Sequence, residues 1–516
     1  MRNLSKAKLF LAVSALAIMV GSPAHAAAVS ADTVKAMQDQ INSLQQQLQQ
    51  VQAAQATQAA PAAPAATSSS GIVDKAASFM DSDAPLTWNG VTLYGTVDVG
   101  VSNQTHGSGY NANFNTAVGE MLQKNGAGSK WNVTPGGMEQ SKIGLKGDVP
   151  VYKDSPVGDV NAVFKLEAGF NPVSGVLTNA QESQINNNGN ASLARTSTNA
   201  DSSRAGQVFE GAAFGGLSNK TLGTLTFGRH TTVLADDITT YDPQGASYAF
   251  SPIEWSGAIQ GGGDTEEARY DDSMKYNVAY GPVRFAGIYQ FAGNTNPYGG
   301  DDAYQGDVGF DYAGLSLDAL LGEKHDAINT STNTTASILA GNMNELKATS
   351  SDNTTYAFLT KYDFKDVGIK VLQPAKIFLG YEHDHLSNAD TPVSLNASSL
   401  GGYQYYSISN GAYNVNEDLD VVWGGVRYAF TPKLTVSAAD YQYIQSRYGT
   451  TGSSTPCGDS SCAGTANYSS LVADYQLTKK IDAYAGVMYS HVYNGMDAGY
   501  LHNNNVSTAT GLRLKF

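Results

Sequence analysis

The sequence predicts an all-β fold, a transmembrane antiparallel β-barrel of about sixteen strands, preceded by a short α-helical coiled coil. Three observations predict it. From Val91 to Phe516, successive segments alternate apolar and polar side chains, the pattern of strands with lipid on one face and water on the other. The connections between those segments are alternately very short and very long, which gathers every long loop at one end. After the N-terminal leader, no apolar run approaches the ~20 residues that a spanning helix needs, so a closed barrel is the remaining way across a bilayer.

Residues 1–26 open with Arg2, Lys6 and Lys8, continue through the apolar run Leu9 to Val20 and end in Ala24-His25-Ala26. A basic start, a short apolar core and an A-x-A site read as a signal peptide for export. Residues 27–52 carry Val34, Met37, Ile41, Leu44, Leu48 and Val51 at alternating spacings of three and four. These are the a and d positions of a heptad, and so narrow a stripe predicts a helix that pairs with copies of itself. Residues 53–90 are an Ala/Pro/Ser-rich linker. Because the first strand starts on the periplasmic side, the coiled coil is expected in the periplasm.

The barrel strands are expected at 91–102, 140–150, 158–170, 207–216, 222–230, 270–280, 282–292, 304–313, 314–323, 352–363, 375–386, 417–430, 433–446, 466–477, 480–493 and 507–516. Tyr280-Gly281-Pro282, Ala313-Gly314, Phe430-Thr431-Pro432-Lys433 and Leu477-Thr478-Lys479-Lys480 are tight turns, whereas 103–139, 171–206, 231–268, 324–351 and 387–416 are long polar loops. Parity assigns the faces. Leu93, Val97, Val99 and Val101 share one face of the first strand, and Thr92, Tyr94, Thr96 and Asp98 the other. Tyrosines near strand ends, such as Tyr289, Tyr312, Tyr381, Tyr428 and Tyr489, suit an interfacial aromatic girdle.

Composition fits this reading. Fifty-four Gly and 29 Tyr against 2 Cys suit many strands joined by polar turns. The mean hydropathy of -0.26 is compatible with a membrane barrel, because half of each strand faces water. The net charge is -15, and loss of the leader's three cations takes it to -18, which excludes nucleic acid as a partner. Cys457 and Cys462 bracket a Gly/Ser-rich loop stretch, a spacing that suggests a small disulfide in an exported chain.

Val91-Thr92-Leu93-Tyr94-Gly95-Thr96-Val97-Asp98, Ser141-Lys142-Ile143-Gly144-Leu145-Lys146-Gly147, Phe164-Lys165-Leu166-Glu167-Ala168-Gly169-Phe170, Leu222-Gly223-Thr224-Leu225-Thr226-Phe227-Gly228-Arg229 and Asp272-Ser273-Met274-Lys275-Tyr276 carry a family resemblance. In this order, and with the terminal Phe516, they resemble the general trimeric bacterial outer-membrane porins, particularly the neisserial and β-proteobacterial branch. The N-terminal coiled coil is similar to that of the dicarboxylate and sucrose porins. The resemblance implies a homotrimer with one pore per subunit in a Gram-negative outer membrane. It also implies a third long loop folded inward as a constriction, here about 231–268, and a terminal Phe similar to the assembly signal of that class. Outer-membrane lipid, lipopolysaccharide and the barrel-assembly machinery are the partners it implies. The third loop does not show the family's Pro-Glu-Phe-Gly-Gly pattern.

A pore sorts ions by rings of charge at its narrowest point. The basic side is expected from inward positions Lys142, Lys146, Lys165, Arg269, Lys275, Arg427 and Arg513, with Lys515 beside them. Arg229 stands at the mouth of the third loop, but its parity with Leu225 and Phe227 points it outward unless the strand bulges. The acidic side is expected from Asp236, Asp237, Asp242 and Glu254 of that loop, with Tyr94, Asp98 and Glu167 completing the lining. No cofactor or metal centre is expected beyond structural Ca2+ in the acidic loops.

Diffusion of small hydrophilic solutes, with a preference for anions or carboxylates, is the function these residues imply. The alternative is an envelope-tethering or adhesive barrel whose coiled coil binds a periplasmic partner. An enzyme is not expected: His383 and His385 lie beside Asp384, with no Gly-x-Ser-x-Gly context for a nucleophile.

Overall fold

The computed structural model describes residues 79–106, 129–153, 155–175, 177, 208–253, 269–291, 302–331, 346–390, 399–400, 403–409, 416–447, 463–497 and 502–516. The expected signal peptide, the expected coiled coil with its core from Val34 to Val51, most of the expected linker, Glu254, Cys457 and Cys462 lie outside the described residues.

Sixteen antiparallel strands close into a barrel. They are β1 Val91–Gln104, β2 Lys142–Tyr152, β3 Val160–Gly169, β4 Ala212–Asn219, β5 Gly223–Thr231, β6 Arg269–Tyr280, β7 Val283–Gln290, β8 Ala303–Tyr312, β9 Leu315–Ser331, β10 Leu346–Asp363, β11 Ala375–Asn388, β12 Glu417–Ala429, β13 Leu434–Gln445, β14 Gly464–Gln476, β15 Ile481–Asn494 and β16 Asn504–Lys515. Each pairs with its sequence neighbour, and β1 pairs with β16 from Thr96↔Lys515 to Gln104↔Ser507. Phe516 tightens this seam, because it exchanges backbone hydrogen bonds with Gly95 at 3.0 Å in both directions. Its ring lies so close to Gly95 that a Cβ there would meet Phe516 Cζ at 2.5 Å. Closure leaves no wall strand with an unpaired edge, which is what a bilayer core demands of a sheet.

Alternation sorts the side chains as parity dictates. Leu93, Ile143, Leu145, Phe227, Leu317, Phe358 and Leu379 are exposed on the outer face, whereas Thr96, Asp98, Ser102, Ser273, Lys275, Glu382 and Asp384 are buried on the inner one. An apolar skin of this extent would be a liability in water and is the expected surface in lipid. Aromatic pairs mark both rims, with Tyr428–Phe430 and Tyr362–Phe364 centroids 4.7 and 4.8 Å apart at the short-turn end and Tyr289–Phe291 at 5.0 Å near the long loops. The Tyr312-Ala313-Gly314-Leu315 turn has φ of 48° and 86° at its two central residues, the type I′ geometry that suits hairpins.

Departures from the expected strands have local causes. The fourth strand is expected at 207–216 but runs Ala212–Asn219. Asn219 ends it by accepting the backbone N–H groups of Thr221 and Leu222 at 2.9 and 2.8 Å, an Asx turn that overrides the apolar pattern. The β9–β10 hairpin runs past its expected ends at 323 and 352, with pairing as far as Ser331↔Lys347. The wall beside β1 is shared. Val91 to Thr96 pairs with β2, while Val99 to Gln104 pairs with an extra strand, Lys130–Pro135.

Candidate functional site: the constricted lumen

The long connection after β5 enters the barrel. Helix α1, Val233–Tyr241, starts at Thr232, whose hydroxyl caps it by accepting Ala235 N–H at 3.3 Å. Val233, Leu234, Ile238 and Tyr241 form its buried face, and Asp236 and Asp237 stand on the other side. The chain then crosses to the wall made by β12 to β15. Trp423 Nε1–H donates to Tyr241 O at 3.2 Å, and Arg427 Nη2–H to Pro243 O at 2.7 Å. Gln244 donates to Ser470 Oγ at 3.0 Å, and Tyr443 O–H to Pro252 O at 3.0 Å.

Asp242 is the hub of this anchorage. Its carboxylate accepts Tyr441 O–H at 2.5 Å, Gln244 N–H at 3.0 Å and Ala246 N–H at 2.7 Å, and the residue is 1% exposed. It therefore fastens the loop and has no face toward the open lumen. Asp98 has the same job on the first wall. It accepts Met138 and Glu139 N–H at 2.8 and 3.0 Å and Tyr484 O–H at 2.7 Å, with no exposed surface. It thereby holds residues 136–141 inside the barrel, where Gly137 O accepts Ala249 N–H of the inserted loop. Gly137 has no room for a side chain, since a Cβ would meet Tyr484 Oη at 2.4 Å.

The remaining charges form two groups. On the β1–β3 wall, Lys142 lies 3.4 Å from Glu139 and Lys165 lies 3.2 Å from Glu167, which also accepts Tyr94 O–H at 2.9 Å. Lys146 and Lys165 stand 5.5 and 5.9 Å from the centre of the Tyr94 ring, a cation–π geometry. Arg513 bonds Asp474 and Asp482, both at 2.9 Å, and reaches toward Glu139 at 3.7 Å. Arg269 Nε–H donates to Gly211 O at 3.0 Å.

The second group lies under α1. Lys275 pairs with Asp236 at 2.5 Å, and Arg284 pairs with Asp311 at 2.6 Å and Asp318 at 3.0 Å. Carboxylate oxygens of Asp237, Asp307 and Asp318 lie within 4.8 Å of one another. Burial, first, and then the neighbouring charges of Asp307, Asp318 and Asp236 push the Asp237 carboxyl up to about 8. A cavity of about 410 Å³ opens here, lined by Lys275, Asp236, Asp237, Arg284 and Asp307.

Arg229 follows a bulge: Gly228 has φ 135° and the β5–β6 register shifts between Gly228 and His230. The side chain is buried, donating to Glu210 O at 2.7 Å and pairing with Asp271 at 2.5 Å. Sequence reasoning missed Arg284, Lys361 and Lys376, although the parity of β7, β10 and β11 marks all three as inward. Lys361 Nζ stands 5.2 Å from the centre of the Tyr241 ring, and Lys376 pairs with Asp363 at 2.9 Å.

A closed sixteen-stranded barrel, apolar outside and charged within, with a loop bridging its bore, defines an outer-membrane channel. The chain belongs to the Gram-negative porin family, whose model matches residues 53–495. Among solved structures it is similar to the anion-selective porin from Comamonas acidovorans, at 17% identity over 83% of this chain and 99% of that one, with a TM-score of 0.51. It is also similar to the trimer form of OmpT, an outer membrane protein of Vibrio cholerae, at 16% identity over 83% of this chain and 99% of that one, with a TM-score of 0.50. No curated protein sequence matches.

Proposed function

We propose that the chain is a passive diffusion channel for small hydrophilic solutes and ions that favours anions, carboxylates among them. One observation carries the preference: four lumen lysines keep more side-chain surface in the open than the carboxylates they pair with. The side chains of Lys142, Lys165, Lys376 and Lys515 are 30%, 31%, 45% and 47% exposed, against 26% for Glu139, 10% for Glu167 and 21% for Asp363. Asp98 and Asp242 are buried as loop anchors. Asp236 is open, at 57%, but its carboxylate is paired with Lys275. A permeating anion therefore meets these ammonium groups ahead of the less exposed carboxylates paired with them. The field focuses on those groups because the walls around them have a low dielectric. The anion-selective porin of similar fold is consistent with this reading.

In this reading the active unit is a homotrimer with one pore per subunit, and the N-terminal heptads pair in the periplasm. Zero-current potentials across a KCl gradient in planar bilayers test the preference. A potential of the sign set by chloride, and faster liposome swelling with dicarboxylates than with neutral sugars of equal size, are the expected results. A potential of the sign set by potassium would overturn it.

A further inference from the structure

On the outside of the barrel, two histidines and two carboxylates meet across the β11–β12 pair. His383 and His385 share the outward face of β11, and the register sets His383 opposite Asp420 and His385 opposite Asp418. They lie two and four residues beyond Tyr381 toward the long-loop end, about 7 and 13 Å along the strand. Across the pair, Tyr381 faces the exposed Val422, whereas His383 and His385 face Asp420 and Asp418, so the outer surface turns from apolar to polar at this level.

The hydrogen bonds constrain the imidazoles. His383 Nδ1 lies 2.8 Å from Asp420 Oδ1, and an ionised carboxylate only accepts, so Nδ1 carries the proton. Tyr381 O–H donates to the same Asp420 oxygen at 2.6 Å, and the Tyr356 ring stacks on His383 with centroids 4.7 Å apart. In a neutral ring, His383 Nε2 then presents its lone pair toward Asp418 Oδ1, 3.7 Å away and beyond hydrogen-bond reach. A lone pair facing a carboxylate is repulsive unless a proton on Nε2 or a metal cation lies between them. His385 Nδ1 lies 2.6 Å from that same oxygen, so it too carries a proton, and its Nε2 faces Asn416 Nδ2 at 3.1 Å. Ligation by His385 therefore displaces one of these two hydrogen bonds.

We propose that His383, His385 and Asp418 form a binding site for a divalent transition-metal ion of the zinc class on the outer wall of the barrel. One donor atom from each residue lies within 4.8 Å of the others. Two imidazoles and one carboxylate suit Zn2+, Cu2+ or Ni2+ and disfavour the oxygen-seeking Ca2+ and Mg2+. Asp420 completes the arrangement from behind, since a carboxylate on the far nitrogen of a ligating histidine fixes its tautomer and raises its basicity. Three protein donors leave a tetrahedral ion one position free for water or for a headgroup oxygen. The site lies on the opposite face of the wall from the pore and is independent of the transport reading.

The test uses untagged, full-length protein in detergent, stripped with chelator and titrated with Zn2+ by calorimetry, with Co2+ absorption as the probe of histidine ligation. One saturable Zn2+ per chain is expected. It should be lost in His383→Ala and His385→Ala and weakened about 10- to 100-fold in Asp420→Asn. Heat-modifiable gel mobility reports whether each variant keeps the barrel, and Asp418→Asn replaces any histidine variant that does not. Saturating Zn2+ should leave single-channel conductance unchanged. The proposal is overturned by an absence of saturable uptake, by uptake undiminished in folded His383→Ala/His385→Ala protein, or by equal competition from Ca2+.

Discussion

Removing the Asp242 carboxylate should release the loop that narrows the pore. In Asp242→Ala, three donors lose their acceptor inside the barrel: Tyr441 O–H, Gln244 N–H and Ala246 N–H. A buried polar group left unpaired costs about 1–3 kcal/mol, so the three together weaken the attachment by roughly 3 kcal/mol or more even if water replaces part of the lost bonding. Each 1.4 kcal/mol is about a tenfold change in an equilibrium. The population of detached loop therefore rises on the order of a hundredfold. The closed sheet is untouched, so the barrel itself should stay folded. Single-channel recording is the assay, with liposome swelling across a series of sugar sizes. Larger or noisier conductance steps and a higher size limit are expected, with a smaller effect in Tyr441→Phe, which removes one bond. Wild-type conductance, noise and size limit in folded Asp242→Ala protein would refute the reasoning that this carboxylate holds the constriction.

Three further outcomes follow from the same geometry. Arg284→Ala leaves Asp237, Asp307 and Asp318 without the guanidinium beside them, and should move the zero-current potential in a KCl gradient toward the cation side. Asp237, on the inserted helix rather than a wall strand, holds its proton up to about pH 8. It is neutral below that pH and negative above it, so selectivity should drift toward cations as pH rises through 8, and Asp237→Asn should flatten the drift. Deleting Phe516 removes two backbone hydrogen bonds at the β1–β16 seam, about 0.5–1.5 kcal/mol each. The yield of heat-modifiable protein should fall, whereas Phe516→Tyr should retain most of it.

The barrel was legible in the sequence because its rule is local. A strand between lipid and water repeats every two residues, and short turns such as Ala313-Gly314 announce themselves by residue type. The parity that set Leu93 against Tyr94 holds around the closed sheet, and sixteen expected strands correspond to sixteen observed ones. Asn219 shows where that rule fails, because a side chain accepting two N–H groups moved the turn that hydrophobicity alone would place earlier. The lumen was less legible because its contacts join residues far apart in the chain. Asp98 and Asp242 have the parity or loop position of pore-lining acids, yet each is enclosed by donors from a remote segment, Tyr484 in one case and Tyr441 in the other. Periodicity carries no record of such pairings. Arg284 was within reach, since it alternates with the outward Val283 and Phe285, and only a uniform application of parity to the later strands was needed to find it.

Purified protein added to a planar lipid bilayer tests the central claim most directly, that this barrel encloses a water-filled path. The account predicts discrete, ohmic current steps, and the proposed homotrimer predicts that they close in thirds. A folded, membrane-inserted preparation that passes no current would contradict it.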